Sequence, residues 1–339
     1  MGRDRVTEAM KKVLVTGGGG FIGRALVKAL RARGIDCYVV GRNQYPEIEK
    51  LGAVCVRGDI RDRDFLTECS RGIDTLFHVA SLAGIWGNWS DYYSVNVHGT
   101  ENVLYACEKN SIARLVYTST PSVVFNKQDI CNGDETLPYS DTFLCHYAHT
   151  KALAEKMVLN ANENFFFSCA LRPHLVWGPG DPHLIPRLLE RGRMRQLKIV
   201  GDGKNVVDIS YVDNVAHAHL LAADNLAGAA TAAGKAYFIS QGEPVNLWQW
   251  INELFVKAGV PPLKSTVPFF AAYGAGMFLE NIHRILAPEK EPRMTRFLAE
   301  QLAKSHYFSI ARAKEDLGYT PLVGNEEGMR RLLMWIQQL

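Results

Sequence analysis

Lys12-Val13-Leu14-Val15-Thr16-Gly17-Gly18-Gly19-Gly20-Phe21-Ile22-Gly23 is the stretch that decides how this chain folds. A short apolar, β-branched run stops at a threonine, four glycines follow, and apolar residues then recur at helical spacing through residues 21–33. The stretch therefore reads as strand, tight turn, helix. Glycines let the backbone turn sharply and approach a ligand, and a helix start offers free N–H groups and the positive end of its dipole. Gly-rich turns also end ordinary strands, but in this context the turn suits a dinucleotide pyrophosphate. Gly17, Gly20, Phe21, Ile22 and Gly23 are the candidate contacts.

Outward from this turn, strand-like runs at 37–40, 53–56, 75–79, 114–118 and 166–171 alternate with helical periodicity at 92–109 and 146–160. Strands apolar on both faces, separated by helices, predict a doubly wound parallel sheet of Rossmann type. After residue 175 the rhythm breaks at Trp177-Gly178-Pro179-Gly180-Asp181-Pro182, and a basic segment covers 187–198. A helix is expected over 213–223 with Asp213 as its N-cap, a strand over 236–239, and mostly helix from 246 to the end. The division expected is a dinucleotide-binding domain over 10–175 and a smaller α/β substrate domain over 176–339, some of whose strands and helices return to the core.

The chain has 339 residues, 47% hydrophobic and 22% charged, long enough for a sizeable core without disulfide staples. Its seven cysteines are odd in number and scattered without a CxxC, so they read as core residues of a reducing compartment. Residues 1–10 lack the apolar run of a secretory leader. The uncharged segment 265–279 is interrupted by Pro268, Gly274 and Gly276 and falls short of the roughly 20 residues of a membrane span. With the turn expected at 280–287, it reads as a lid over a lipid or as a membrane-surface contact. Net charge is +3, from 38 basic and 35 acidic residues spread along the chain, which argues against a nucleic-acid partner. The expected location is cytoplasmic, with membrane association left open.

Two further features bear on chemistry. The second strand ends Val40-Gly41-Arg42, where a site for NAD(H) usually carries a carboxylate; a guanidinium there suits a 2′-phosphate, so NADP(H) is favoured and NAD(H) is the alternative. Arg42 can also be read as a surface residue of a turn. Tyr147 and Lys151 stand four apart at the start of a helix, on one face, where an ammonium favours the phenolate of a general acid/base. The fifth strand ends Thr118-Ser119-Thr120, placing hydroxyls at the carboxyl edge of the sheet.

The glycine turn, this hydroxyl-rich strand end, Tyr147-x-x-x-Lys151 and the Tyr211–His219 stretch together resemble the extended short-chain dehydrogenases/reductases, within them the 3β-hydroxysteroid dehydrogenase branch. Residues 172–181 and 291–297 are most similar to the bacterial 2-alkyl-3-oxoalkanoate reductases of olefin biosynthesis. The resemblance implies that Tyr147 exchanges the proton, Lys151 binds the nicotinamide ribose and lowers the tyrosine's pKa, and Asn96 closes a proton relay through water. Thr120 stands where the family usually has serine, with Ser119 and Ser122 as substitutes. The resemblance also assigns Asp59 and Ile60 to the adenine, Ala80 and Ser81 to the pyrophosphate and ribose, and Pro173 to the cofactor. It further implies homodimers.

Trp86, Trp89, Phe143, His174 and Trp177 fall on loops after strands and are candidates for an apolar substrate pocket, or for core packing. His217 and His219 lie on different helix faces and His146 and His149 lack a third ligand, so no metal site is expected. The implied reaction interconverts a ketone and a secondary alcohol on a lipid-like acid or a sterol. Arg187, Arg193 and Arg195 are candidates for its carboxylate. Nucleotide-sugar epimerases and dehydratases carry a pyrophosphate-clamping arginine where this chain has Val207, which disfavours that third reading. The chain alone leaves contact with a multi-enzyme complex open.

Overall fold

The computed structural model describes residues 9–163 and 166–338; residues 1–8, on which most of the leader reading rests, lie outside that range. Seven parallel strands form the main sheet: β1 (Lys12–Thr16), β2 (Asp36–Gly41), β3 (Val54–Arg57), β4 (Thr75–His78), β5 (Arg114–Thr118), β6 (Phe167–Pro173) and β7 (Ala236–Ile239). Their order is β7-β6-β5-β4-β1-β2-β3. Strand order reverses between β1 and β4, and open α/β sheets bind ligands at the carboxyl edge of such a reversal.

Alternation along each strand builds two cores. Val13 and Val15 of β1 join one apolar cluster with Val39, Phe77, Val116 and Leu171, while Leu14 joins another with Val40, Leu76, Leu115 and Ala170. The first cluster is covered by α1 (Phe21–Ala32), through Leu26, Val27 and Leu30. The second is covered by α2 (Gly99–Lys109) and α3 (His146–Asn160), through Val103, Ala106, Ala154 and Val158. A third cluster forms in the C-terminal half around Trp177, Tyr211, Trp248, Trp250 and Phe255, with Ile185 and Leu189 of α4 (Leu184–Arg193). The helix α5 (Val212–Ala227) returns to the first cluster through Ala216, Leu220 and Ala223, and β7 extends the main sheet beside β6.

Several sequence expectations need correction. The helix expected over 92–109 begins at Trp89 and contains a π-turn over Ser94–His98 before α2. Tyr211, not Asp213, caps α5, because the strand Ser210–Tyr211 runs directly into the helix; Asp213 lies in its first turn and faces Arg331 at 3.5 Å. The mostly helical C-terminal part also supplies a strand, His306–Phe308, pairing with both Ile130–Gly133 and Val206–Val207. Of the cysteines, Cys131 is exposed, and Cys55 and Cys69 are partly so. Finally, residues 280–286 are not a turn but the end of α6 (Phe269–Leu286). Its buried residues Ala272, Gly276 and Glu280 recur every fourth position and pack toward α7 (Arg296–Ala303). A Cβ on Gly276 would come within 2.6 Å of the Thr295 backbone, so the approach requires glycine. Glu280 locks the contact, accepting from the Arg296 backbone N–H at 2.7 Å and from its Nε at 2.9 Å. No helix among the described residues is long and apolar enough to cross a membrane.

Candidate active site

The glycine turn lies where β1 meets α1. Gly17 sits at φ +71 and its carbonyl accepts from the Gly20 N–H at 2.9 Å. A Cβ on Gly23 would stand 2.2 Å from that same carbonyl, and one on Gly17 would stand 2.7 Å from Ala80. The turn is thus closed against its own helix and against the end of β4. Gly20 precedes α1 without a side-chain cap, leaving the N–H groups of the first helical turn for a ligand.

A buried histidine holds this turn in register with the rest of the edge. The Thr16 hydroxyl donates to His78 Nδ1 at 2.7 Å and accepts from the Ala80 N–H at 3.3 Å. His78 Nε2 donates to Thr100 at 3.0 Å, and Thr100 donates to the Asn96 carbonyl at 2.7 Å. Burial pushes the His78 imidazole down to about 3, so it is neutral and each ring nitrogen has a fixed role.

Asn96 lies in the π-turn and its side chain is committed to protein partners. Its Oδ1 accepts from the Leu82 N–H at 2.7 Å, and its Nδ2 donates to the Leu82 carbonyl at 3.1 Å and to Thr150 at 3.0 Å. The side chain ties the loop after β4 to α3. π-turns of this kind are frequent at functional sites, because the extra residue re-aims a side chain.

Tyr147 and Lys151 occupy the first turns of α3. The Tyr147 phenol is not lowered by Lys151 as the resemblance implied: burial raises it well above its ordinary range, and a hydrogen bond with Thr120 pulls it partly back. Thr120 in turn accepts from the Ser122 N–H at 3.2 Å and stands 3.2 Å from the Ser122 hydroxyl, so its rotamer is set by the turn it caps. Ser119, the substitute one residue earlier, has a buried hydroxyl without a protein partner. Lys151 Nζ donates to the Thr118 carbonyl at 2.5 Å and lies 4.0 Å from the centre of the Tyr117 ring. Desolvation brings this ammonium down to about 7, against an opposing pull from Glu155. The strand end is itself pinned: the Thr118 hydroxyl donates to His219 Nε2 at 2.7 Å, and His219 Nδ1 donates to the Val215 carbonyl.

Sequence reading missed the support beneath Lys151. Glu155, one turn further along the same face of α3, pairs with Arg172 on β6 at 2.5 Å and accepts from the Tyr139 hydroxyl at 2.7 Å. Glu155 and Arg172 are almost wholly buried. The i+4 spacing from Lys151 was a visible signal; the partner, 17 residues away, was not.

Other candidates divide. Asp59 holds Arg61 at 2.7 Å, and Ile60 is buried against Gly99, with its carbonyl held by Asn102. Ser81 is partly buried next to Ala80, and Pro173 ends β6 in register with Ile239. Arg42 is exposed at the end of β2, its carbonyl accepting from Arg57 Nε at 3.0 Å. Trp86 and Trp89 line a cavity of about 210 Å³ with Leu144, His146 and Arg284. Phe143 stacks on His149 at 4.8 Å, and with Ile85, Leu144 and Phe297 it forms the apolar wall around Tyr147. Trp177 is not a pocket residue: fully buried, it packs edge-on against Tyr211 and Trp250, both at 5.3 Å. His174 is buried as well, donating from Nε2 to His306 Nδ1 at 2.7 Å, since His306 Nε2 donates to the Gln301 carbonyl. Arg187 spends its charge on Glu291, whereas Arg193 and Arg195 are exposed. Val207, where an arginine clamp would stand, is fully buried.

With this geometry in place, comparison with known proteins is decisive. Residues 14–269 match the 3-beta hydroxysteroid dehydrogenase/isomerase family. The chain belongs to that family. A 2-alkyl-3-oxoalkanoate reductase of Shewanella oneidensis is 46% identical over 337 residues, covering 97% of this chain and 87% of its own. The sterol-4-alpha-carboxylate 3-dehydrogenase (decarboxylating) of Homo sapiens is 36% identical, covering 97% of this chain and 89% of its own. Among solved structures, MoeE5 in complex with UDP-glucose and NAD superposes with a TM-score of 0.73 at 26% identity, covering 96% of this chain and 99% of that one. As a member of this dehydrogenase family, the protein carries the Rossmann-type sheet of those relatives with a helical C-terminal part.

Proposed function

We propose that this protein is an NADP(H)-dependent reductase that interconverts a ketone and a secondary alcohol on a lipid acid, converting a 2-alkyl-3-oxoalkanoate to the 2-alkyl-3-hydroxyalkanoate. The observation that carries this reading is the juxtaposition of Tyr147 and Thr120, with Lys151 one turn further along α3, and an apolar wall of Ile85, Phe143 and Phe297. Similarity to the reductase of Shewanella oneidensis supports the choice of acid. In this reading residues 10–175 hold the dinucleotide and residues 176–339 mainly the substrate.

The residues present fit the cofactor, because Gly17, Gly18, Gly19 and Gly23 leave no room for a Cβ and the turn leaves helix N–H groups open. Gly17, Gly20, Phe21, Ile22 and Gly23 would hold the pyrophosphate, with Ala80 and Ser81 beside it and Asp59 and Ile60 toward the adenine. Pro173, Tyr147 and Lys151 would face the nicotinamide end. When bound, the nicotinamide supplies the hydride. Tyr147 gives its proton to the substrate oxygen, and its raised pKa keeps that proton in place at neutral pH. Thr120 orients the tyrosine hydroxyl, and Lys151 stabilises the phenolate left behind. The cavity lined by Trp86 and Trp89 serves as the mouth of the site in this reading, and Arg284 in its wall is assigned to the substrate carboxylate.

Arg42→Ala is expected to weaken NADPH binding by about 1.5–3 kcal/mol while leaving NADH nearly unchanged, read by quenching of tryptophan fluorescence. Equal affinity of the unaltered protein for the two cofactors would remove the NADP preference. The substrate class is tested by following NADP reduction with a chain-length series of 2-alkyl-3-hydroxy acids, a 3β-hydroxysterol carboxylate and a UDP-sugar. Affinity should rise about fourfold per methylene until the pocket is filled. Preference for the sterol would move the substrate to that of the human relative and leave the proton chemistry intact; turnover of the UDP-sugar alone would overturn the lipid reading.

A further inference from the structure

The side of α6 turned away from α7 is apolar and uncovered. Phe270, Phe278 and Ile285 are 85%, 64% and 80% exposed, and Met277 is 48% exposed. At 100° per residue these four fall within one face about a third of the helix circumference wide. Large side chains do not stand this far into water in such a row without a partner surface. The helix is nevertheless held rigidly from behind by Gly276 against Thr295 and by Glu280 on Arg296, so the face is presented rather than frayed.

Charge says what the partner is. At the start of α6, the strand Thr266–Val267 pairs with Ile199–Val200, which brings the exposed Lys264 and Lys198 together. At its far end, Arg187 of α4 reaches Glu291, and Arg191 lies within electrostatic reach of Arg293. The basic segment therefore connects the two ends of the helix, with Met194 exposed in it. The acids carried by these segments are Glu190, Asp202, Glu280, Glu289 and Glu291, of which Glu280 and Glu291 are paired with arginines. An apolar helix face bordered by cations at both ends matches an anionic bilayer, which takes apolar side chains to the acyl boundary and cations at its headgroups. The same helix lines the mouth cavity through Glu280 and Arg284, and the Trp86 indole donates to the Pro288 carbonyl just past the helix end.

We propose that the outer face of α6 docks the protein on an anionic phospholipid surface, with the Trp86–Trp89 mouth set at the headgroup level so that an apolar substrate passes in from the bilayer. The purpose of the docking rests on the lipid-substrate reading; the docking itself does not.

The full chain is to be sedimented with phosphatidylcholine vesicles with and without phosphatidylglycerol. Binding is expected to the anionic vesicles and to fall with salt. Phe278→Ser with Ile285→Ser should lower the partition about 100-fold, each side chain being worth at least about tenfold. Lys198→Glu with Lys264→Glu should lower it about tenfold or more on anionic vesicles only. Both pairs lie on the exposed surface, and turnover of a short-chain substrate in solution should be unchanged, showing that the variants fold. Failure of the unaltered protein to bind anionic vesicles, or binding indifferent to the serine pair, overturns the proposal. So does a dimer in light scattering that the serine pair dissociates, which would assign the face to a second copy. Vesicle binding reads no turnover, so its failure leaves the reductase reading standing, and failure on oxo acids leaves docking standing.

Discussion

Tyr147→Phe lowers kcat by about 100-fold or more, with cofactor affinity retained, because the ring stays in its apolar wall and only the proton donor is lost. Stopped-flow turnover and a separate NADPH titration read the two quantities; near-native turnover would remove the mechanism. Lys151→Met damages both, and Thr120→Val is milder, since Ser119 offers a free hydroxyl one residue away. The pH profile carries the signature of the amine. Lys151 discharges near pH 7, so the charge that supports the departing phenolate is lost above that value, and reduction is expected to decline there. Stability runs the opposite way. The folded chain releases this proton near 7 and the unfolded chain near 10.5, so the unfolded state binds more protons in that window. The cost of burying the ammonium is therefore full below pH 7 and shrinks as pH rises toward 10.5. Lys151→Met should lack that component in denaturation measured across pH.

Glu155→Gln is the change expected to cost most in stability, about 3–5 kcal/mol, because it leaves Arg172 charged and buried without a counterion. Chemical denaturation reads the loss directly. The same variant withdraws the negative charge that raises the Lys151 pKa, so its pH profile should shift to lower pH. A stability within about 1 kcal/mol of the unaltered protein would mean that the guanidinium is held by its contacts with the Tyr139 and Phe238 rings alone.

Much of the site was legible because its parts are local. The turn from Thr16 to Gly23 is one continuous strand-turn-helix, and Tyr147 with Lys151 follows from helical spacing alone. Where the reading went astray, the deciding partner was far along the chain. Trp177 leaves a strand as a pocket residue would, but Tyr211 and Trp250 close over it. Arg187 is a cation on a basic segment until Glu291, 104 residues on, takes its charge. Residues 280–286 read as a turn because the charges of Glu280 and Arg284 interrupt the apolar segment; Glu280 is instead neutralised by Arg296, and the helix runs on.

By itself, then, the sequence determined the parallel sheet, the phosphate-binding turn, the acid/base pair and the family, since strand and helix periodicity and turn chemistry are properties of neighbouring residues. Tertiary structure alone decided which polar groups are paired and which line a cavity: Glu155 beneath Lys151, His78 bridging Thr16 to Thr100, and Arg284 in the cavity wall. It also decided that Phe270, Phe278 and Ile285 face outward. Burial and pairing depend on what folds back from a distance, and an apolar residue carries no mark of whether another part of the chain will cover it.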